Sequence, residues 1–157
     1  MEVKIRPLKT DDAYTSYKWR NDPEVFRYTG NRYDHEISLE SELNWIKQVI
    51  YKKDDYRCAI LADGEYVGNI YLTEIDEKKA HFHIFIGNKA YWGKGVARKA
   101  SEILLEYAFL ELGLQIITLN VDLRNVPAIR LYEKLGFKSE TVNGRMLSMS
   151  CTSTVNG

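Results

Sequence analysis

The stretch Trp92-Gly93-Lys94-Gly95-Val96-Ala97 constrains this chain more than any other. It follows an apolar run, Ala80 to Ile86, that reads as a strand. It opens a long amphipathic segment that reads as a helix. Glycines at a strand-to-helix turn leave backbone N–H groups uncovered. Those amides and the positive end of the helix dipole suit an anion such as a pyrophosphate. Two common phosphate motifs fail here. A P-loop places Ser or Thr after Gly-Lys, but Gly95 follows Lys94. A dinucleotide fingerprint needs a third glycine where Arg98 stands, and an acidic residue about 20 positions on.

The remaining chain supplies a sheet for this turn. Glu2 to Pro7 alternates as a first strand does. Thr10 is placed to cap a helix running to about Arg20, which Asn21-Asp22-Pro23 ends. A short helix over Glu24 to Tyr28 and a loop at Gly30-Asn31-Arg32 are expected next. Ser38 reads as the cap of a helix whose buried stripe is Leu39, Leu43, Ile46 and Val49/Ile50. Tyr56 to Ala62 and Tyr66 to Glu74 read as a hairpin around Asp63-Gly64-Glu65. After the glycine turn, Val96, Ala100, Ile103/Leu104 and Tyr107/Ala108 mark one helix face, and Gly113 closes the helix. Gln115 to Val121 follows a helical crossover, so it should lie parallel to the strand before the turn. A helix from Val126 to Leu135 and a hairpin turning at Asn143-Gly144 complete the pattern. The expectation is an α/β (α+β) fold: one domain over residues 1–151, a mixed sheet of about six to seven strands, helices on both faces, and a disordered tail over 152–157.

At 157 residues the chain can bury a substantial core. Lys+Arg and Asp+Glu both number 22, so the basic excess of a nucleic-acid binder is missing. No 18-residue apolar run marks a membrane span, and the N-terminus lacks the apolar core of a secretion signal. Cytoplasm is the default location. Cys58 and Cys151 make neither a metal nor a disulfide framework, so no metal is implied.

Arg124-Asn125-Val126-Pro127-Ala128-Ile129-Arg130-Leu131-Tyr132-Glu133-Lys134-Leu135-Gly136-Phe137 comes after the parallel strand. With the glycine turn upstream, this second motif resembles the GNAT superfamily of acetyl-CoA-dependent N-acetyltransferases. The likeness is to the branch acting on ribosomal-protein N-termini, polyamines and nucleotide-linked amino sugars. One departure is Trp92, where many members carry Arg or Gln. The resemblance implies that the strands flanking the long helix splay apart to admit acetyl-CoA. It implies that backbone of Ile84, Phe85 and Ile86 holds the pantetheine arm. It places the pyrophosphate on amides of Trp92, Gly93, Lys94, Gly95, Val96, Ala97 and Arg98. It adds a coenzyme hydrogen bond from Asn125, which can also cap its own helix. Tyr132 takes the place of the general acid beside the coenzyme sulfur.

Acetyl transfer needs a neutral amine, a held thioester, a stabilised oxyanion and a tolerated thiolate. A phenol with pKa about 10 gives its proton to a thiolate of pKa about 8.5 only transiently, so Tyr132 can act as a hydrogen-bond donor. His81 and His83 lie two apart on one strand face, and imidazole titrates near neutrality. They are the candidate bases, although many relatives carry glutamate at position 81. Glu74 and Asp76 are alternatives, and some members use no dedicated base. Trp19-Arg20-Asn21-Asp22-Pro23, Ile37-Ser38-Leu39-Glu40 and Asn44-Trp45-Ile46 resemble enzymes acting on nucleotide-linked amino sugars, notably those of pseudaminic-acid synthesis. The expected partner is therefore a small-molecule amine. A nucleotide-linked amino sugar is the favoured acceptor, with a polyamine or protein N-terminus as alternatives. A non-catalytic coenzyme A-binding module is the reading from another class. A homodimer is permitted by exposed strand edges and 11 tyrosines, not required.

Overall fold

The computed structural model describes residues 1–27 and 36–153. In chain order the elements are β1 (Val3–Pro7), α1 (Ala13–Arg20), α2 (Leu39–Val49), β2 (Tyr56–Ala62), β3 (Glu65–Thr73), β4 (Lys79–Ile86), α3 (Val96–Glu106), β5 (Ile116–Asp122), α4 (Val126–Lys134), β6 (Lys138–Asn143) and β7 (Met146–Thr152). They form one seven-stranded sheet in the order β1-β2-β3-β4-β5-β7-β6. All neighbours are antiparallel except β4 and β5, which are parallel as the crossover through α3 requires.

Period-2 alternation sends each strand's side chains to two cores. Cys58, Ile60, Ile70, Leu72, Phe82, Ile117 and Leu119 join Val96, Ala100, Leu104 and Tyr132 under α3 and α4. Ala59 packs with Leu8, Ala13 and Ile46 under α1 and α2. Helices therefore cover both faces.

Local chemistry explains the ends and the departures from expectation. Ser38 Oγ accepts from Ser41 N at 3.0 Å and caps α2. Thr10 does not cap α1. Instead Thr10–Asp12 forms a 3-10 turn, and the Asp12 carboxylate accepts from Lys9 N at 2.9 Å and from Arg6 at 2.7 and 2.9 Å. That buried charge is thus bonded on both oxygens. Residues 23–27 form turns rather than the expected second helix, because the Asp22 side chain accepts from Glu24 N and holds a turn. Tyr28 and the Gly30-Asn31-Arg32 loop lie outside the described residues. In α3 the buried face includes Ser101 and Leu105, while Ile103 is exposed. The helix ends in a π turn over Tyr107–Glu111 and closes at Gly113, whose φ is +68°. Thr152 is not frayed: it pairs with Ile116, and Ser153 N donates to Gln115 O at 2.8 Å. Residues 154–157 lie outside the described residues.

Candidate active site

β4 and β5 are paired only from Lys79↔Ile116 to His81↔Thr118. Beyond that point they part: β4 keeps β3 as its neighbour and β5 keeps β7. The result is a fork opening toward the start of α3. Gly87 N donates to Val67 O at 2.8 Å, so Gly68 and Ile86 form a non-hydrogen-bonded pair. By that alternation Phe85 directs its backbone groups to β3, while Ile84 and Ile86 direct theirs into the fork. This corrects the expectation for Phe85, whose backbone does not face the gap. Its ring instead packs on Phe26, with centroids 5.0 Å apart, and near Trp19.

The glycine turn stands at the open end of the fork. Gly93 and Gly95 have φ of +72° and +81°, a region that disfavours any side chain, although a Cβ would meet no atom at either position. Gly95 occupies the N-cap of α3 without offering a capping side chain. The first α3 bond is Lys99 N to Gly95 O at 3.2 Å. Among the described residues, the amides from Gly93 through Arg98 donate to no acceptor. Trp92 corrects the expectation: its amide already donates to Lys89 O at 3.1 Å. Its indole Nε1 donates to Ile86 O at 2.8 Å instead.

Tyr132 sits at the crotch of the fork. Its ring meets Phe82, the first β4 residue past the paired segment, edge-on at 6.2 Å. Phe137 lies 5.8 Å away. Its residue is only 8% exposed, and its hydroxyl has no hydrogen-bond partner among the described residues. Burial pushes the phenol up to about 12, so it stays protonated at neutral pH. α4 is aimed by Asn125, whose side chain accepts from Ala128 N at 3.4 Å, and by Pro127 in its first turn.

On the opposite sheet face, His81 Nδ1 meets Thr118 Oγ1 at 2.8 Å. Thr118 is the last β5 residue paired with β4, so the imidazole is fixed at the fork. His83 bonds Thr73 Oγ1 at 3.0 Å and stacks on Tyr71 at 4.6 Å. The two imidazoles are 4.9 Å apart and edge-on. Burial lowers the pKa of both; His83, also beside His81 and Arg57, falls to about 4. Both are neutral at pH 7. Asp76 is a turn residue: its carboxylate accepts from Lys78 N and Lys79 N, each at 2.8 Å. Glu74 is exposed and lies near enough to His81 to oppose the lowering of its pKa.

Behind the histidines runs a ladder of cations and rings. Arg57 lies 4.4 Å over Tyr71 and 5.2 Å over Trp45, paired with Asp55 at 2.9 Å. Arg20 lies 4.2 Å over the same Trp45 and pairs with Glu42 at 2.9 Å. Thr118, Tyr71 and Arg57 were not singled out by sequence reasoning. Only Thr118 left a signal, as one of two polar members of the Ile116, Thr118, Asn120 face opposite Ile117, Leu119 and Val121.

Comparison with known proteins decides the family. The model of the acetyltransferase (GNAT) domain matches residues 2–138. The chain belongs to the GNAT acetyltransferase family. It is an acetyl-CoA-dependent N-acetyltransferase. This GNAT enzyme is 34% identical over 140 residues to the spermidine N(1)-acetyltransferase of Escherichia coli K12, covering 88% of this chain and 74% of that protein. It is 29% identical over 150 residues to the probable N-acetyltransferase YjcK of Bacillus subtilis, covering 89% and 82%. The structure of spermidine N-acetyltransferase from Vibrio cholerae, in complex with CoA and spermine, superposes with a TM-score of 0.84 at 26% identity, covering 96% and 95%. Among the described residues no helix is long and apolar enough to cross a membrane.

Proposed function

We propose that the enzyme acetylates a primary amine of a polyamine, bound on the His81 face of the fork and attacking directly. The observation that carries the catalytic part is the crotch itself, where Tyr132 approaches from one sheet face and His81 from the other. Acetyl-CoA supplies the activated acetyl group. The uncovered amides from Gly93 to Arg98 fit its pyrophosphate, and the backbone of Ile84 with the Ile86 N–H, turned into the fork, fits its amide-bearing arm. His81, neutral and held through Nδ1, leaves Nε2 to take a proton from the acceptor ammonium. The Tyr132 hydroxyl, protonated and unpartnered, donates a hydrogen bond to the departing sulfur.

The polyamine reading rests on the relatives, among which spermidine acetyltransferases recur. It replaces the nucleotide-linked amino sugar favoured from the local motifs. That second reading keeps one observation: Arg20, Trp45, Arg57 and Tyr71 line this face with cations and ring planes, the chemistry that receives an anion or a base. Thiol release across spermidine, spermine, a nucleotide-linked amino sugar and a peptide N-terminus separates the two. Spermidine or spermine should give the highest kcat/KM. A higher value for the sugar would replace the polyamine reading. Tyr132→Phe should lower kcat by about 100-fold with coenzyme affinity kept; unchanged kcat would remove Tyr132 from the chemistry.

A further inference from the structure

Trp92 stands where the Gly-Lys-Gly turn leaves the sheet. Residues on either side of it are tied down differently. Upstream, Asn88 Nδ2 and Tyr91 Oη donate to the two carboxylate oxygens of Glu65, at 2.8 and 3.1 Å. Downstream, Gly93, Lys94 and Gly95 are exposed, and both glycines sit at positive φ with open space around them. Between these lies a side chain 42% exposed whose indole N–H crosses to Ile86 O at 2.8 Å. By the strand alternation, that carbonyl faces the fork. The bond therefore joins the phosphate-binding turn to the very strand edge that the fork exposes.

We propose that Trp92 is a positioning residue for coenzyme binding, a latch that holds the amides from Gly93 to Arg98 at a fixed distance from the β4 edge. The proposal rests on the reading that these amides receive the coenzyme pyrophosphate. Glycines at positive φ have broad conformational freedom, so an unlatched turn must be ordered when the phosphates arrive. The latch removes that ordering from the binding step. It also uses up the Ile86 carbonyl, so an incoming extended chain can pair only with Ile84 and with the Ile86 N–H. The bond to Ile86 thereby gives a large exposed aromatic residue a reason to stand at this position.

The test uses the full chain, with Trp92→Phe, which keeps a ring and loses the N–H, and Trp92→Gln, which restores a donor. Backbone amide order parameters of the coenzyme-free protein should fall from Gly93 to Arg98 in Trp92→Phe and not at Ile117 or Leu119 in the core. Calorimetry should show coenzyme A binding weakened about tenfold, and pantetheine, which lacks the phosphates, unaffected. Trp92→Gln should recover most of both effects. Unchanged order parameters and coenzyme A affinity in Trp92→Phe would overturn the latch. So would tighter binding, which would make the indole an obstruction. Weak coenzyme A binding equal to that of pantetheine in the unmutated protein would instead overturn the pyrophosphate reading.

Discussion

At the scale of residues, the two strand histidines carry opposite lessons. Among the described residues His81 Nε2 has no hydrogen-bond partner, whereas His83 spends Nε2 on Thr73 and a ring face on Tyr71. The first is arranged for proton transfer and the second for support. The pKa of His83 in the folded chain, about 4, lies below the ordinary 6.5. As pH falls below 6.5 the unfolded chain binds this proton first, so stability present above that pH is lost progressively down to about 4. The loss amounts to roughly 3 kcal/mol at most. His81 adds to it with the same sign. Urea midpoints at pH 7.5 and pH 4.5 should therefore differ less in His83→Gln, which still offers Thr73 a hydrogen-bond partner. An equal fall in both proteins would show that His83 titrates normally.

At the scale of elements, Gly87 follows β4 in a place where a side chain would force its neighbours to move. A Cβ there would lie 1.9 Å from the Trp19 ring, which is itself held against Tyr66 at 4.8 Å. Trp19 belongs to α1, so this contact sets how closely α1 approaches the strand that carries both histidines. Gly87→Ala should cost about 2 to 3 kcal/mol, read as a lower denaturation midpoint at unchanged slope. No loss would mean that α1 can retreat freely. The strands, α2, α4 and the parallel crossover were legible because their signals are local: alternation, a serine cap, a helical stripe, proline and glycine at the ends. The glycine turn and Tyr132 were legible through their motif. What was not legible depended on pairing across the sheet. Which backbone faces the fork, Ile84 and Ile86 rather than Phe85, follows from register, and register is settled by the whole sheet. The bond of Trp92 to Ile86 and that of His81 to Thr118 are likewise non-local. The turns over residues 23–27 reflect a side-chain bond from Asp22 that competes with helix.

At the scale of the whole molecule, the fork divides the sheet. Among the described residues, strands β1 to β4 and strands β5 to β7 are joined by backbone pairing over Lys79–His81 and Ile116–Thr118, with Gln115 N donating to Lys78 O at 2.7 Å just before it. The rest of the connection is side-chain packing: Phe82 against Tyr132 and Phe137, and α3 lying under strands of both halves. Because this core is continuous across the fork, both halves should unfold in one transition. A ligand that fills the fork binds a surface which exists only while both halves are in place. Coenzyme A must then raise the whole transition, not that of one half. At 100 times its dissociation constant the stabilisation is about 2.7 kcal/mol, or roughly 5 to 11 °C for a chain of this size. Thermal unfolding followed both by tryptophan fluorescence and by far-ultraviolet dichroism checks it. The two signals should move together by that amount. If fluorescence shifted alone, the coenzyme would be stabilising one half of the sheet, and the fork would not be the element that unites binding with folding.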